Sequence, residues 1–329
     1  MIKLYRKLKY LVKKNIEIQK EFHNDCKEYK RWNYNNPKVR TKNAFEAKML
    51  RQAHILEKGM SLSHPRDRFG IGKASELLDY IDAYEAEGYS VRDSAAVQNC
   101  IGVLDAYLRF HRERGFIPEE ITNRFERLKP FVPDASEPFG IRSISKEQLR
   151  LQAHGGFPDF FQSRHSVRQF SNQKVSEEDL QKAVQLAMRA PSACNRQSCK
   201  VYYYSEDKIN RELGNLIAGN TGFESDVQNY LVITSDMSAF YDVFERNQVY
   251  VDGGIFTMAL IEALHYYGIA SCVLQNGEFK QKNESFKKIC GNIPANEKII
   301  LFIAIGYYKD IVTFATSHRK ELKDVLIIR

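Results

Sequence analysis

Two guanidiniums, an imidazole and a hydroxyl fall within one pentapeptide, Arg164-His165-Ser166-Val167-Arg168, shortly before a helix-forming run. A phosphate monoester asks for such a set, because arginine forks onto two oxygens and serine adds a short hydrogen bond. A solvated basic turn has the same composition. A second stretch, Ala190-Pro191-Ser192-Ala193-Cys194-Asn195-Arg196-Gln197, follows a capped helix that Pro191 ends. Its Ser, Asn and Gln side chains supply the donors and acceptors that a flat heteroaromatic ring with carbonyl and imide edges requires. A polar turn reads no differently. In a third stretch, Gly268 to Gly277, a strand runs out into a glycine-flanked loop where backbone N–H groups can approach a ligand. A fourth joins the strand end Gly306-Tyr307-Tyr308 to the basic run Ser317-His318-Arg319-Lys320, which has the reach to meet the same anion.

The elements that must position these stretches follow from periodicity. Residues 1–130 read as helical, with Leu4, Leu8, Leu11 and Ile18 near helical spacing. Further helices are predicted over about Thr41–Lys58 (capped by Gly59), Lys73–Glu87, Val91–Arg114 and Pro118–Leu128, and Pro130, Pro133 and Pro138 mark a linker. The second half alternates. Ser176–Met188 is a helix with an S-x-x-D box, Lys200–Tyr204 a strand, then a helix to Ile217. Tyr230–Thr234 is a strand, Gly254–Tyr267 a long apolar helix, Ala270–Leu274 a strand, Phe279–Ile289 a helix and Ile299–Ile305 a buried strand. The expected division is a helical extension over 1–150 and an α+β domain over 151–329.

Composition bounds the function. The chain has 329 residues, 43% hydrophobic and 27% charged, which is ordinary for a globular protein. It shows no apolar run of membrane-spanning length and no signal-peptide pattern, and the expected location is cytoplasmic. Six cysteines at 26, 100, 194, 199, 272 and 290 include no CxxC and read as reduced, packed thiols, with Cys194 or Cys199 as reactive alternatives. Residues 1–150 hold 29 Lys+Arg against 21 Asp+Glu, whereas 151–329 hold 20 of each. Much of the excess lies in Lys3, Arg6, Lys7, Lys9, Lys13 and Lys14. The favoured reading is a solvated helix face with Leu4, Leu8 and Leu11 turned inward; contact with an anionic membrane surface is the alternative, and no nucleic-acid partner is expected. His54, Glu57 and His64 read as ordinary helix polarity rather than metal ligands, and Gly70-Ile71-Gly72-Lys73 lacks the first glycine of a P-loop.

The order of the four stretches, R-H-S-V-R, then A-P-S-x-x-N-x-Q, then a Gly-rich strand end, then I-A-I-G-Y and a late arginine, resembles the nitroreductase family over about 160–329. The resemblance implies a mostly antiparallel sheet flanked by helices and FMN bound at the interface of an intertwined homodimer. It also implies hydride transfer from NADH or NADPH through flavin N5 to a small nitroaromatic, quinone or other conjugated acceptor. It assigns FMN contacts to Arg164, His165, Ser166 and Arg168, to Pro191, Ser192 and Asn195 along the ring, to Leu274 and Gln275 facing N5, and to Arg319 at the phosphate. No side chain is assigned as catalytic, since the flavin carries the chemistry. The sequence departs from the family where Ser198 and Cys199 replace the usual Pro–aromatic step and where Tyr308 replaces the Pro of G-Y-P. Alternatives are a relative that uses oxygen or modifies the flavin itself, or a non-catalytic flavin-binding or scaffold protein.

Overall fold

The computed structural model describes residues 2–32, 35–134, 138–204, 206–277, 280–291 and 293–329. The helical region comprises α1 (Ile2–Trp32), α2 (Lys42–Met60), α3 (Ile71–Ala86), α4 (Ala95–Arg112) and α5 (Glu119–Phe125). Thr41 caps α2 by accepting from the Ala44 amide, and Ser94 caps α4 by accepting from the Val97 amide. Ser94 thereby splits the single helix expected over Val91–Arg114, because its side chain competes for the amides of the first turn. Gly59 is not the cap of α2. It lies inside the helix, where a Cβ would run into the Phe69 ring, so it serves close packing instead. Phe45, Met49, Leu56, Leu77, Ile81, Tyr84, Ile101, Leu104 and Tyr107 interlock α2, α3 and α4 around one core.

The leucines of α1 are a second correction. Leu4, Leu8 and Leu11 are 73%, 61% and 52% exposed rather than turned inward. The helix meets the rest of the chain along another flank, through Lys14 to Asp242 at 3.1 Å and Asp25 to Arg246 at 2.7 Å. Helical spacing marks which residues share a face and leaves open what covers it.

The remaining chain supplies β1 (Ile141–Ser145), α6 (Lys146–Ala153), α7 (Phe157–Ser163), α8 (Glu177–Ala187), β2 (Cys199–Tyr203), α9 (Asp207–Leu216) and β3 (Asn229–Asp236). It continues with α10 (Gln248–Tyr266), β4 (Ile269–Gln275), α11 (Lys280–Cys290), β5 (Glu297–Tyr307) and β6 (Ile311–Ala315). The expected start of α11, Phe279, lies outside the described residues. Strands β2, β3, β5 and β4 form, in that order, an antiparallel sheet, and β1 pairs with β6 in a separate two-stranded one. The period-two alternation of a strand divides the larger sheet between two cores. Tyr230, Val232, Phe302 and Ala304 face Leu213 of α9 and Phe286 of α11, while Leu231, Ile233, Ile303 and Ile305 face Leu180 of α8 and Leu260 of α10. The fold is thus α+β, an antiparallel sheet flanked by helices behind a helical N-terminal region. No helix among the described residues is long and apolar enough to cross a membrane.

Helix α10 begins six residues before the expected Gly254. Gly253 and Gly254 lie within it, because register slips where Ile233 pairs with Leu301 but Thr234 with Ile299, and the Ile300 left over presses on Gly253. A Cβ at 253 would stand 2.8 Å from Ile300 Cγ1, so the glycine lets the helix lie against the bulge. Strands β1 and β6 and helices α6 and α7 are absent from the sequence reading; each is short and carries little periodic signal. Phe302 is fully buried and packs against Phe286 with ring centroids 4.6 Å apart. Phe302→Ala is expected to cost about 3–5 kcal/mol, read as a lowered denaturation midpoint with unchanged slope.

Candidate functional site

The first basic stretch leaves the end of α7 and runs as a short extended segment between the two sheets. The Val167 amide donates to the Ser271 carbonyl of β4 at 3.0 Å, and single β-bridges join Val167 to Phe314 of β6 and Phe170 to Tyr308 beyond β5. Three of the four sequence stretches therefore meet at one place. Alternation along the segment buries Val167 in the core and sends Arg164, Ser166 and Arg168 the other way. They line a cavity of about 70 Å³ with His54, His165, Thr316, Ser317 and Arg319. It adjoins a groove of about 700 Å³ that shares Arg164, His165, Ser317 and Arg319.

The charge balance of the small cavity is its main feature. Arg168 is 5% exposed, and its Nε and Nη1 have no hydrogen-bond partner among the described residues. Arg164 has a carboxylate nearby, with its Nε 3.4 Å from Glu262 Oε1, an ion pair without hydrogen-bond alignment. Burying a guanidinium without an acceptor costs several kcal/mol, so the arrangement suits an anion with several oxygens. His165 stacks on Phe314 with centroids 3.6 Å apart, and burial and then Arg164 hold its pKa down to about 4. It is neutral near pH 7 and offers ring nitrogens rather than charge.

A buried chain behind Arg164 escaped the sequence reading. His265 of α10 is 2% exposed and is hydrogen-bonded to Ser163 Oγ through Nε2 and to the Tyr308 hydroxyl through Nδ1, each at 2.8 Å. It ties α7, α10 and the end of β5 together beside Arg164. The departure from G-Y-P thus has a use: Tyr308 fills the place of the proline with a hydroxyl that fixes this ring. Burial first, then the Arg164 charge, depresses His265 to about 4. A histidine in the mostly apolar C-terminal half of α10 was the available signal.

The second stretch lies elsewhere. Cys194, Asn195 and Gln197 adopt φ of 51°, 55° and 49°, a left-handed run rare for side-chain-bearing residues. The loop is pinned by Gln197 N donating to Ser192 Oγ at 3.0 Å, by Ala193 N donating to the Asp252 carboxylate at 3.2 Å, and by Arg196 forked onto Glu245 at 2.7 and 2.9 Å. The Arg196 contact is the main reason the Glu245 carboxyl is held down to about 2. Pro191, Ser192 and Gln197 line a separate, mostly apolar cavity of about 600 Å³ with Leu180, Val184 and Phe256. Asn195, Leu274 and Gln275 line none of these cavities. Leu274 is 4% exposed and packs in the core, while Gln275 is exposed at the end of edge strand β4. Cys194 is exposed in the loop; the half-buried Cys199 thiol is pushed up by burial and reads as packing.

The two stretches therefore line separate cavities of the chain. Both rest on α10, the loop at Asp252 and Arg164 at Glu262, and ten residues of helix rise separate those anchors by about 15 Å.

The buried histidine implies a pH dependence. Its folded pKa lies below the ordinary 6.5, so its stabilisation is present above pH 6.5 and is lost as pH falls toward 4. Glu57, raised to about 7, acts in the opposite sense over an overlapping range, so a paired comparison is needed. The stability difference between wild type and His265→Asn should shrink as pH drops from 7 to 5, by about 1 kcal/mol per unit, in denaturant titrations.

The family model described as the nitroreductase family matches residues 161–307. No curated protein matches the chain. Among solved structures, similarity extends to a nitroreductase family protein from Streptococcus pneumoniae, 21% identical over 53% of this chain and 100% of that one, with a TM-score of 0.45. A candidate NAD(P)H:FMN oxidoreductase from Staphylococcus epidermidis is 19% identical over 53% of this chain and 96% of its own, with a TM-score of 0.47. A candidate nitroreductase in complex with FMN from Desulfovibrio desulfuricans is 18% identical over 56% and 96%, with a TM-score of 0.43. Residues 161–307, which carry the basic pentapeptide, the strained loop and the antiparallel sheet, are the part of the chain that the nitroreductase family model matches.

Proposed function

We propose that the protein is an FMN-dependent oxidoreductase of nitroreductase type, passing hydride from NADH or NADPH to a small organic acceptor such as a nitroaromatic or quinone. The observation that carries the reading is the buried, under-partnered Arg168 in a cavity shared with Arg164, Ser166 and Arg319. The donor set fits a phosphate monoester: guanidiniums for its charge and a serine hydroxyl for a remaining oxygen. FMN, when bound, supplies the hydride acceptor and donor in one ring. The chain's own part is to hold the phosphate with Arg164, Ser166, Arg168 and Arg319, and to border the ring with Pro191, Ser192 and Asn195 and with the β4 end at Leu274 and Gln275. No protein nucleophile or general base is needed.

The same reading makes the working unit a homodimer. The two halves of the site line separate cavities with anchors about 15 Å apart along α10, and we assign the second half to a partner's loop. Exposed apolar side chains favour such pairing. Val251, Ile255 and Met258 stand open on α10, as do Val325, Leu326, Ile327 and Ile328 in the C-terminal tail, and β2 is an unpaired sheet edge.

Two outcomes are expected. Arg168→Met should weaken FMN binding by about 10- to 100-fold in fluorescence titrations, yet raise the melting temperature of flavin-free protein, because an unmatched buried charge is removed. A colourless wild type that takes up no added FMN would defeat the proposal. Arg168→Met should also be mixed, with subunit exchange, with the loop variant Ser192→Ala/Asn195→Ala. About a quarter of the sites should then be intact, since half the dimers are mixed and each has one whole site. Recovery of no binding would mean that both halves come from one chain.

A further inference from the structure

The helical region reaches the cavity as well. His54 of α2 lines it, although it lies outside the nitroreductase-family segment. The run that brings Arg319 there, Ser317 to Lys320, is held residue by residue from the helical side. Glu57 of α2 is 4% exposed; its Oε1 accepts from the Ser317 amide at 3.1 Å and its Oε2 from Ser317 Oγ at 3.2 Å. The His318 ring packs on Phe139 with centroids 4.3 Å apart. Asn99 Nδ2 of α4 donates to the Arg319 carbonyl at 3.4 Å, and Lys320 Nζ to Glu46 of α2 at 3.1 Å.

Ser317 has φ of 51°, a left-handed conformation that a side-chain-bearing residue seldom keeps without outside support. The paired contact from Glu57 is that support. It fixes the turn after β6 and, through it, where the Arg319 backbone runs.

We propose that α2 belongs to the phosphate site: Glu57 is a positioning residue that sets the Ser317–Arg319 turn against the cavity, and His54 closes its wall. The inference rests on the FMN reading and adds a role for the N-terminal helices, which lie outside the matched segment. Burial raises the Glu57 carboxyl to about 7, against the pull of Ser317, Arg168 and Arg319. When protonated it presents one accepting and one donating oxygen to Ser317. Glutamine offers the same pair, accepting from the amide and donating to Oγ, whereas alanine offers neither.

Riboflavin has the ring of FMN without the phosphate, so the two ligands separate a phosphate effect from a general one. Fluorescence titration of full-length protein is expected to show Glu57→Ala weakening FMN about tenfold and riboflavin by less than about twofold, with Glu57→Gln close to wild type for both. If Glu57→Ala does not fold, Asn99→Ala, at a half-exposed position, carries the comparison with an expected loss of about threefold for FMN alone. Equal losses for the two flavins, no loss for FMN, or failure of Gln to restore binding would overturn the proposal and leave the FMN reading intact. Wild type that binds neither flavin would overturn both.

Discussion

A guanidinium in a small cavity, with two of its nitrogens unmatched, constrains everything around it. The backbone that carries it is fixed because Val167 beside it is locked into the core, hydrogen-bonded to Ser271 of β4 and bridged to Phe314 of β6, and Arg168 is left 5% exposed. Arg164 and Arg319 add to the positive side of the cavity, while His54 and His165, each pushed down to about 4 chiefly by burial, stay neutral. Keeping such a cluster costs stability that hydrophobic packing elsewhere must offset. Two cores on the sheet and one in the helical region provide it.

Helix α10 is the common support. Its buried face lies on the sheet through Leu260, Ile261 and Leu264, made possible by Gly253 against Ile300. Its polar positions then serve both sites: Asp252 pins the left-handed loop, Glu262 faces Arg164, and His265 anchors α7 and Tyr308. These side chains lie along one rigid rod, so the distance between the two halves of the site is fixed.

The helical region packs on this assembly through polar contacts aimed at specific places. Lys58 donates to the Gly219 carbonyl at 2.6 Å, Gln169 to the Ser61 carbonyl at 2.8 Å, and Glu57 receives Ser317. A helix that held the domain only by apolar area would leave the C-terminal turn free to adopt a more ordinary backbone. The left-handed Ser317 marks where the two regions act on one another.

The sequence by itself determined the elements whose signal is local. The Ser176 cap is bonded to the Asp179 amide as read, and the strands around Leu231 and Ile303 alternate as their apolar runs require. Arg164, Ser166, Arg168 and Arg319 could be picked out by residue type alone, and one cavity gathers all four. What covers a face, and which distant groups meet, was decided only by tertiary structure. The exposed leucines of α1, the glycines inside α2 and α10, the His265 relay and the grip of Glu57 on Ser317 all depend on partners tens to hundreds of residues away. Local propensity and periodicity describe a residue's own turn or strand; a neighbour brought in by packing leaves no periodic trace in the chain.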